Sequence, residues 1–247
     1  MLKKILLVLI SVVLTNPVFS DENNLTILHI NDHHSHLEAD KRMSLILDGE
    51  KTRVKSGGFP SVVSKIRELK LKKPEAITLH AGDAITGTLY YTLFKGEADA
   101  ELMNQVCFDA FAIGNHEFDD GDKNLANFLD FLNSGQCKTP VLSANTVPKV
   151  GSSPLALNSK EDYIKPYVII DHKGSKIGIV GIVISKKTKQ SSNPDETTIF
   201  LDEVSTTQKI IDEIKSKGVN KIILLTHYGY QNEIELAKAT IGADIIV

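Results

Sequence analysis

The chain of 247 residues has no tryptophan, only two cysteines, and aromatic side chains at 6% of its positions. With no cluster of thiols, neither a structural zinc finger nor an iron–sulfur site can be built. A surplus of positive charge is also missing. Lys and Arg number 28 against 31 Asp and Glu, a formal net charge of −3, which argues against a grip on the backbone of a nucleic-acid polymer. Long hydrophobic runs are absent too: Ile5 to Leu14 extends over about ten residues, where a membrane span needs about 20. What remains is an ordinary globular balance, 42% hydrophobic and 24% charged, which excludes disorder and collagen and suits one large α/β domain or two small ones.

The short apolar run reads as part of an export signal. Lys3 and Lys4 precede it, and the segment Thr15 to Ser20 follows, with Val18 two residues before a small terminal Ser20. This three-part layout predicts a secretory leader over residues 1–20, cleaved after Ser20, and a periplasmic or secreted protein. Export places Cys107 and Cys137 in an oxidising compartment. A bridge between them, closing a loop of about 30 residues, would stabilise the fold by roughly 3 to 4 kcal/mol. The alternative is two buried thiols.

From Leu25 onward, short apolar runs alternate with helical patterns, the order of an α/β fold. Strands are predicted at Leu25 to Ile30, Ala76 to Ala81, Asp109 to Ile113, Pro140 to Ala144, Lys176 to Ile184, Lys221 to His227 and Ala243 to Val247. Helices are predicted at Phe59 to Leu71, Ala98 to Val106, Lys123 to Leu132, Val204 to Lys217 and Asn232 to Ala239, where apolar residues recur at spacings of three and four. Tyr163 to Asp171 and Lys176 to Ile184, flanking Lys173-Gly174, read as a hairpin, so the sheets are expected to be mixed. Ser185 to Pro194 reads as a solvated polar loop.

Polar groups follow these strands at four separate places: Asn31-Asp32-His33-His34, Gly82-Asp83, Gly114-Asn115-His116-Glu117-Phe118-Asp119, and His227. A lone Asp or His after a strand is commonly a turn or cap residue. Ligands of α/β sheets gather at the carboxyl ends of strands, however, so the four segments can converge on one spot. Asp32 and His34 share a face if extended, Asp83 has two oxygens with which to bridge two ions, and Asn115 and His227 offer an amide oxygen and an imidazole nitrogen. His116 and Asp119 are three apart, close enough for the carboxylate to orient the imidazole. His33 and His36 read as shaping the loop, with His33 a candidate neighbour of the ligands. His29 and His80 read as packed core groups, and His172 as part of the hairpin turn.

Taken in order, Asp32-x-His34, Gly82-Asp83, Gly114-Asn115-His116-Glu117 and Thr226-His227 resemble the calcineurin-like dinuclear metallophosphoesterases. The strings ILHINDHHSHL, GNHEFD and LSAN (Leu142 to Asn145) are similar to the secreted 5′-nucleotidase branch, and longer segments such as AGDAITGTLYYTLFKGEADA to a bacterial subgroup that includes periplasmic NAD-degrading nucleotidases. The resemblance implies a four-layer αββα sandwich with two mixed β-sheets over residues 21–247. It implies two divalent metal ions, zinc or manganese, with Asp32 and His34 on the first, Asn115 and His227 on the second, and Asp83 bridging. It further implies that His116 and Asp119 form the catalytic dyad, that Asn115 also contacts substrate, and that a water activated by the ions attacks the phosphate ester of a nucleotide. Pyrophosphates, cyclic phosphodiesters and thiosulfate-type esters fall within the same class of substrate. Family members are similar in continuing with a Gly-Gly-(His/Asp)-Ser-(His/Gln) segment and a second, base-binding domain. On that comparison this chain, ending at Val247, is expected to be an incomplete version of the enzyme, and the alternative reading is a metal-binding remnant that does not turn over.

Overall fold

The structure is a computed structural model that describes residues 24–40 and 42–247. The expected leader and its cleavage site at Ser20 lie outside the described residues. In chain order the elements are β1 (Ile27–Ile30), β2 (Met43–Leu47), β3 (Glu50–Val54), α1 (Gly58–Lys72), β4 (Ile77–His80), α2 (Leu89–Phe94), α3 (Glu97–Met103), β5 (Ala110–Ala112), α4 (Gly121–Ser134), β6 (Val141–Leu142) and β7 (Thr146–Pro148). They continue with β8 (Tyr167–His172), β9 (Ser175–Val183), α5 (Ser185–Ser191), β10 (Thr198–Phe200), α6 (Glu203–Ser216), β11 (Lys221–His227), α7 (Tyr230–Ala239) and β12 (Ile245–Ile246).

Two four-stranded sheets, β1-β4-β5-β6 and β12-β11-β9-β8, face each other. Alternation along each strand explains the layering. Ile77 and Leu79 of β4 point into the space between the sheets, where they meet Ile177 and Ile179 of β9 and Ile223 and Leu225 of β11. The opposite face of the first sheet, including Phe111 of β5, packs on Phe59, Val63 and Ile66 of α1 and Leu125, Phe128 and Leu132 of α4. On the far side, Val180, Ile182, Ile222 and Leu224 pack on Ile210, Ile211 and Ile214 of α6. Strands buried on both faces are largely apolar, with Thr78 and His80 the buried polar exceptions in β4, as expected for sheets covered by helices. The result is the αββα order of layers.

The hairpin expected around Lys173-Gly174 is β8–β9, with Ile170 paired to Ile177, and it makes the second sheet mixed. The first sheet departs from the expectation of mixed pairing: β1–β4, β4–β5 and β5–β6 are all parallel, because each is joined to the next by a helical crossover. Asn145 of the LSAN string ties the sheets together, its Oδ1 accepting from Val183 N–H at 3.0 Å and its Nδ2 donating to Val183 C=O at 2.8 Å.

One local reading is corrected and one element is added. Ser185–Ser191 is a helix and not a loop, because the Glu203 carboxylate accepts both the Ser185 N–H and its hydroxyl at 2.7 Å each and so starts α5. The hairpin β2–β3 was not anticipated, although Asp48-Gly49, at φ 51° and 84°, is the two-residue turn that such a ribbon prefers. Cys107 and Cys137 form a disulfide with Cα atoms 5.2 Å apart. Among the described residues no helix is long and apolar enough to cross a membrane.

Candidate metal centre

The carboxyl ends of β1, β4 and β5 lie side by side, and β11 brings His227 against them from the other sheet. The loops after β1 and β4 are laddered: Asp32 N–H donates to Gly82 C=O at 3.0 Å, His34 N–H to Asp83 C=O at 3.2 Å and Ser35 N–H to Ala84 C=O at 3.0 Å. Space dictates the glycines here. A Cβ on Gly82 would sit 2.8 Å from both the Gly114 nitrogen and His227 Nδ1, and one on Gly114 would run into the Asp83 carboxylate.

Asp83 is 1% exposed and lies at the centre. Its Oδ2 is 3.0 Å from His227 Nε2 and 3.7 Å from His34 Nε2, while its Oδ1 accepts the His116 N–H at 2.9 Å. Two triads of donor atoms, His34–Asp83–His116 and Asp32–Asp83–His227, each lie within 4.8 Å, and Asp83 belongs to both. The structure thus brings Asp32, His34, Asp83 and His227 together but divides Asp32 and His34 between the triads, and it sets His116 beside His34 with ring centroids 5.0 Å apart. His116 Nδ1 pairs with Asp119 Oδ2 at 2.6 Å, the geometry anticipated for a dyad.

The carboxylates and imidazoles of the site hold one another in their charged forms. Burial alone would push the Asp83 carboxyl up and the His227 imidazole down. Their mutual hydrogen bond and charges prevail, holding Asp83 below its usual range and raising His227 to about 9. His34, hydrogen-bonded to Asp32, holds that carboxyl down at about 2 and is itself raised by it. His227 Nδ1 donates to the Ala81 carbonyl at 2.8 Å, which leaves Nε2 as the atom aimed at Asp83. Asn115 is fully buried with neither its Oδ1 nor its Nδ2 partnered, so its amide has hydrogen-bonding and coordinating capacity that a ligand could take up. Oxygen and imidazole donors, with no thiol among them, suit a borderline or hard divalent ion. The residues present therefore fit the metals that the resemblance implied.

Glu117, which had no role in the sequence reading, is the structural centre of the site. Buried at 1% exposure, it accepts backbone N–H groups from Gly114 at 2.5 Å, Asp83 at 3.0 Å and Ala84 at 2.7 Å. Burial, with the Asp83 charge nearby, raises its pKa. Its place within the GNHEFD string was the available signal. His29, expected in the core, is exposed: it lies on the edge strand β1 and lines an open cleft of about 460 Å³ with Asp32, His227, Lys187 and Tyr228.

A family model described as calcineurin-like phosphoesterase matches residues 25–246. The chain belongs to this family. Over 223 residues it is 45% identical to a probable 5′-nucleotidase of Treponema pallidum and 46% identical to an NAD 5′-nucleotidase of Haemophilus influenzae. Each alignment takes in 90% of this chain and only 36% and 35% of the respective relative, so the chain spans about a third of their length. The solved structure of the Haemophilus influenzae NAD nucleotidase superimposes with a TM-score of 0.81 at 45% identity, over 90% of this chain and 37% of that one. The calcineurin-like phosphoesterase fold thus accounts for both sheets and for the loops that carry the candidate ligands.

Proposed function

We propose that the chain carries the phosphate-hydrolysing centre of an exported nucleotide phosphohydrolase of the 5′-nucleotidase type. The observation that carries the reading is Asp83, one buried carboxylate shared by two triads of donors at the rim of the parallel sheet. Asp32, His34, Asp83, Asn115 and His227 would hold two divalent ions, zinc or manganese. Such ions supply Lewis-acid polarisation of the phosphate and a bound water acidic enough to act as nucleophile at neutral pH.

The chain's own groups do the rest. Asp119 engages Nδ1 of the His116 ring, which leaves Nε2 as the nitrogen that can deliver a proton to the departing alkoxide. The Asn115 amide is available to a phosphate oxygen. Glu117 and the two glycines hold the Asp83 turn rigid, so little reorganisation accompanies the reaction. The relatives' names support a nucleotide as substrate, and the Haemophilus influenzae relative supports NAD in particular. The disulfide between Cys107 and Cys137 supports an oxidising compartment, in line with a leader ending at Ser20.

The test is phosphate release from AMP and from NAD by the purified chain, with Mn²⁺ or Zn²⁺ added and then removed by chelation. Activity that depends on metal and exceeds that of Asp83→Ala supports the reading. A second reading, binding without turnover, rests on the two triads offering three His and carboxylate donors each among the described residues. Two bound ions with no phosphate release from either substrate would decide for it.

A further inference from the structure

Behind the candidate metal centre runs a continuous buried chain of hydrogen bonds that the reaction itself does not use. Asp99 and His80 are fully buried, and the His33 side chain is 9% exposed. The Gly82 N–H donates to His80 Nδ1 at 3.2 Å. That nitrogen is therefore an acceptor, so the ring proton sits on Nε2, which donates to His33 Nδ1 at 2.9 Å. The His33 proton is in turn on Nε2, 3.1 Å from Asp99 Oδ1, and the other carboxylate oxygen accepts the Ser35 hydroxyl at 2.9 Å. A backbone N–H can only donate and a carboxylate can only accept, so the two ends dictate the tautomer of both rings. Burial pushes the His80 imidazole well below its usual range, consistent with a neutral ring.

The two ends of the chain meet the loops that present the ligands. His33 stands between Asp32 and His34, and Gly82 directly precedes Asp83. These loops hold left-handed backbone at Asp32 (φ 52°), His34 (φ 45°), Ser35 (φ 50°) and Asp83 (φ 54°). Left-handed backbone at a residue with a side chain persists only where its surroundings over-determine it. The rings are also clamped by aromatic neighbours: His33 lies 4.6 Å from Phe59, and His80 lies 5.1 Å from Phe111 and 5.3 Å from Phe108 between centroids.

We propose that the Asp99–His33–His80 chain is a positioning device: it locks the Asp32–Ser35 loop to the Gly82–Asp83 turn, so that Asp32, His34 and Asp83 meet cations at a set spacing. The proposal rests on the two-ion reading above. None of the three residues touches substrate; they act through the loops.

The experiment titrates the full chain with Mn²⁺ alone by calorimetry. His80→Phe keeps an aromatic ring against Phe108 and Phe111 but deletes both hydrogen bonds, and it should bind Mn²⁺ about 10- to 100-fold more weakly, the usual penalty for losing a partner behind the ligands. Asp99→Leu should match it. Asp99→Asn keeps an acceptor for His33 and a donor for the Ser35 oxygen, so it should remain near wild type. A purely space-filling role would not separate Asn from Leu in this way. Folded His80→Phe with wild-type Mn²⁺ affinity, or Asp99→Asn as weak as Asp99→Leu, would overturn the proposal. If the apolar variants do not fold, ¹⁵N spectra of the wild-type rings decide, since both must show Nε2–H tautomers and a proton on Nδ1 of either refutes the scheme. A wild-type chain that binds no Mn²⁺ would bring down the two-ion reading and this proposal together. A wild-type chain that binds, alongside a His80→Phe that binds equally, would bring down only the proposal.

Discussion

The two four-stranded sheets are built from strands of similar apolar composition, yet they contribute unequally to the site. Loops at the ends of the first supply Asp32, His34, Asp83, Asn115, His116 and Asp119, whereas the second supplies His227. Strand direction alone does not explain the difference, since β9, β11 and β12 of the second sheet also run parallel; what the chain does on leaving the strand ends does. β1, β4 and β5 run parallel and adjacent, so three loops emerge at one edge. In the second sheet β8 runs antiparallel and ends at the opposite edge, and the chain leaving β9 is committed to starting α5 through Glu203. A site of many ligands follows from the loops that leave aligned strand ends rather than from a strand's own side chains.

The largest effect should come from Asp83→Ala, which removes the carboxylate shared by both triads. It is expected to abolish both strong Mn²⁺ sites and to lower phosphate release by at least about 10²-fold, beyond the penalty for losing a supporting residue. His227→Ala, from the other sheet, should abolish one site and leave one. Calorimetric stoichiometry checks the pair, and one retained site in Asp83→Ala with none in His227→Ala would reverse the comparison.

His116→Ala sharpens the distinction between binding and chemistry at the first sheet's edge. It should keep both Mn²⁺ equivalents and lower turnover roughly 10²- to 10⁴-fold, the range for a lost acid–base group, with Asp119→Asn losing less. The His116 ring also falls within one triad, so the metal count is informative: a lost equivalent would make it a ligand and dissolve the dyad.

Asn145→Ala addresses the joint between the sheets. The substitution strands the buried N–H and C=O of Val183, and roughly 2 to 4 kcal/mol of stability should be lost in denaturant titration. An unchanged midpoint would mean that the sheets are held by their apolar faces alone.

The smallest effect concerns Asp122, behind the first sheet. Burial raises its carboxyl above the ordinary 3.8, against hydrogen bonds from Thr198, the Asp195 N–H and Ser153. A folded-state pKa above the unfolded one adds stability that is complete below pH 3.8 and fades as pH rises through the raised value. The stability of wild type minus that of Asp122→Asn should therefore decline as pH rises above 3.8. A difference that grew with pH would contradict the assignment.

The strands β4, β9 and β11 and the helices α1, α4 and α6 were legible from the chain because each carries a period that reports its own burial. Asp32, His34, Asp83, Asn115, His116, Asp119 and His227 were legible as a set because polar groups repeatedly follow apolar strands. Local pattern could not show that α5 would form, since its start depends on Glu203 from a distant turn. Nor could it show that His29, on a strand with Ile27 and Ile30, would face solvent at a sheet edge.

The amino-acid sequence by itself determined the class of fold, the family and the types of the candidate ligands, because these depend on periodicity and on short strings whose chemistry is local. Tertiary structure alone decided that Asp32 and His34 fall in different triads, that Glu117 gathers four nearby N–H groups, and that Asp99, His33 and His80 form one line. Those relations join residues as distant in the chain as Asp32 and His227, and no local propensity encodes a contact whose two ends are brought together only when the sheets and helices pack.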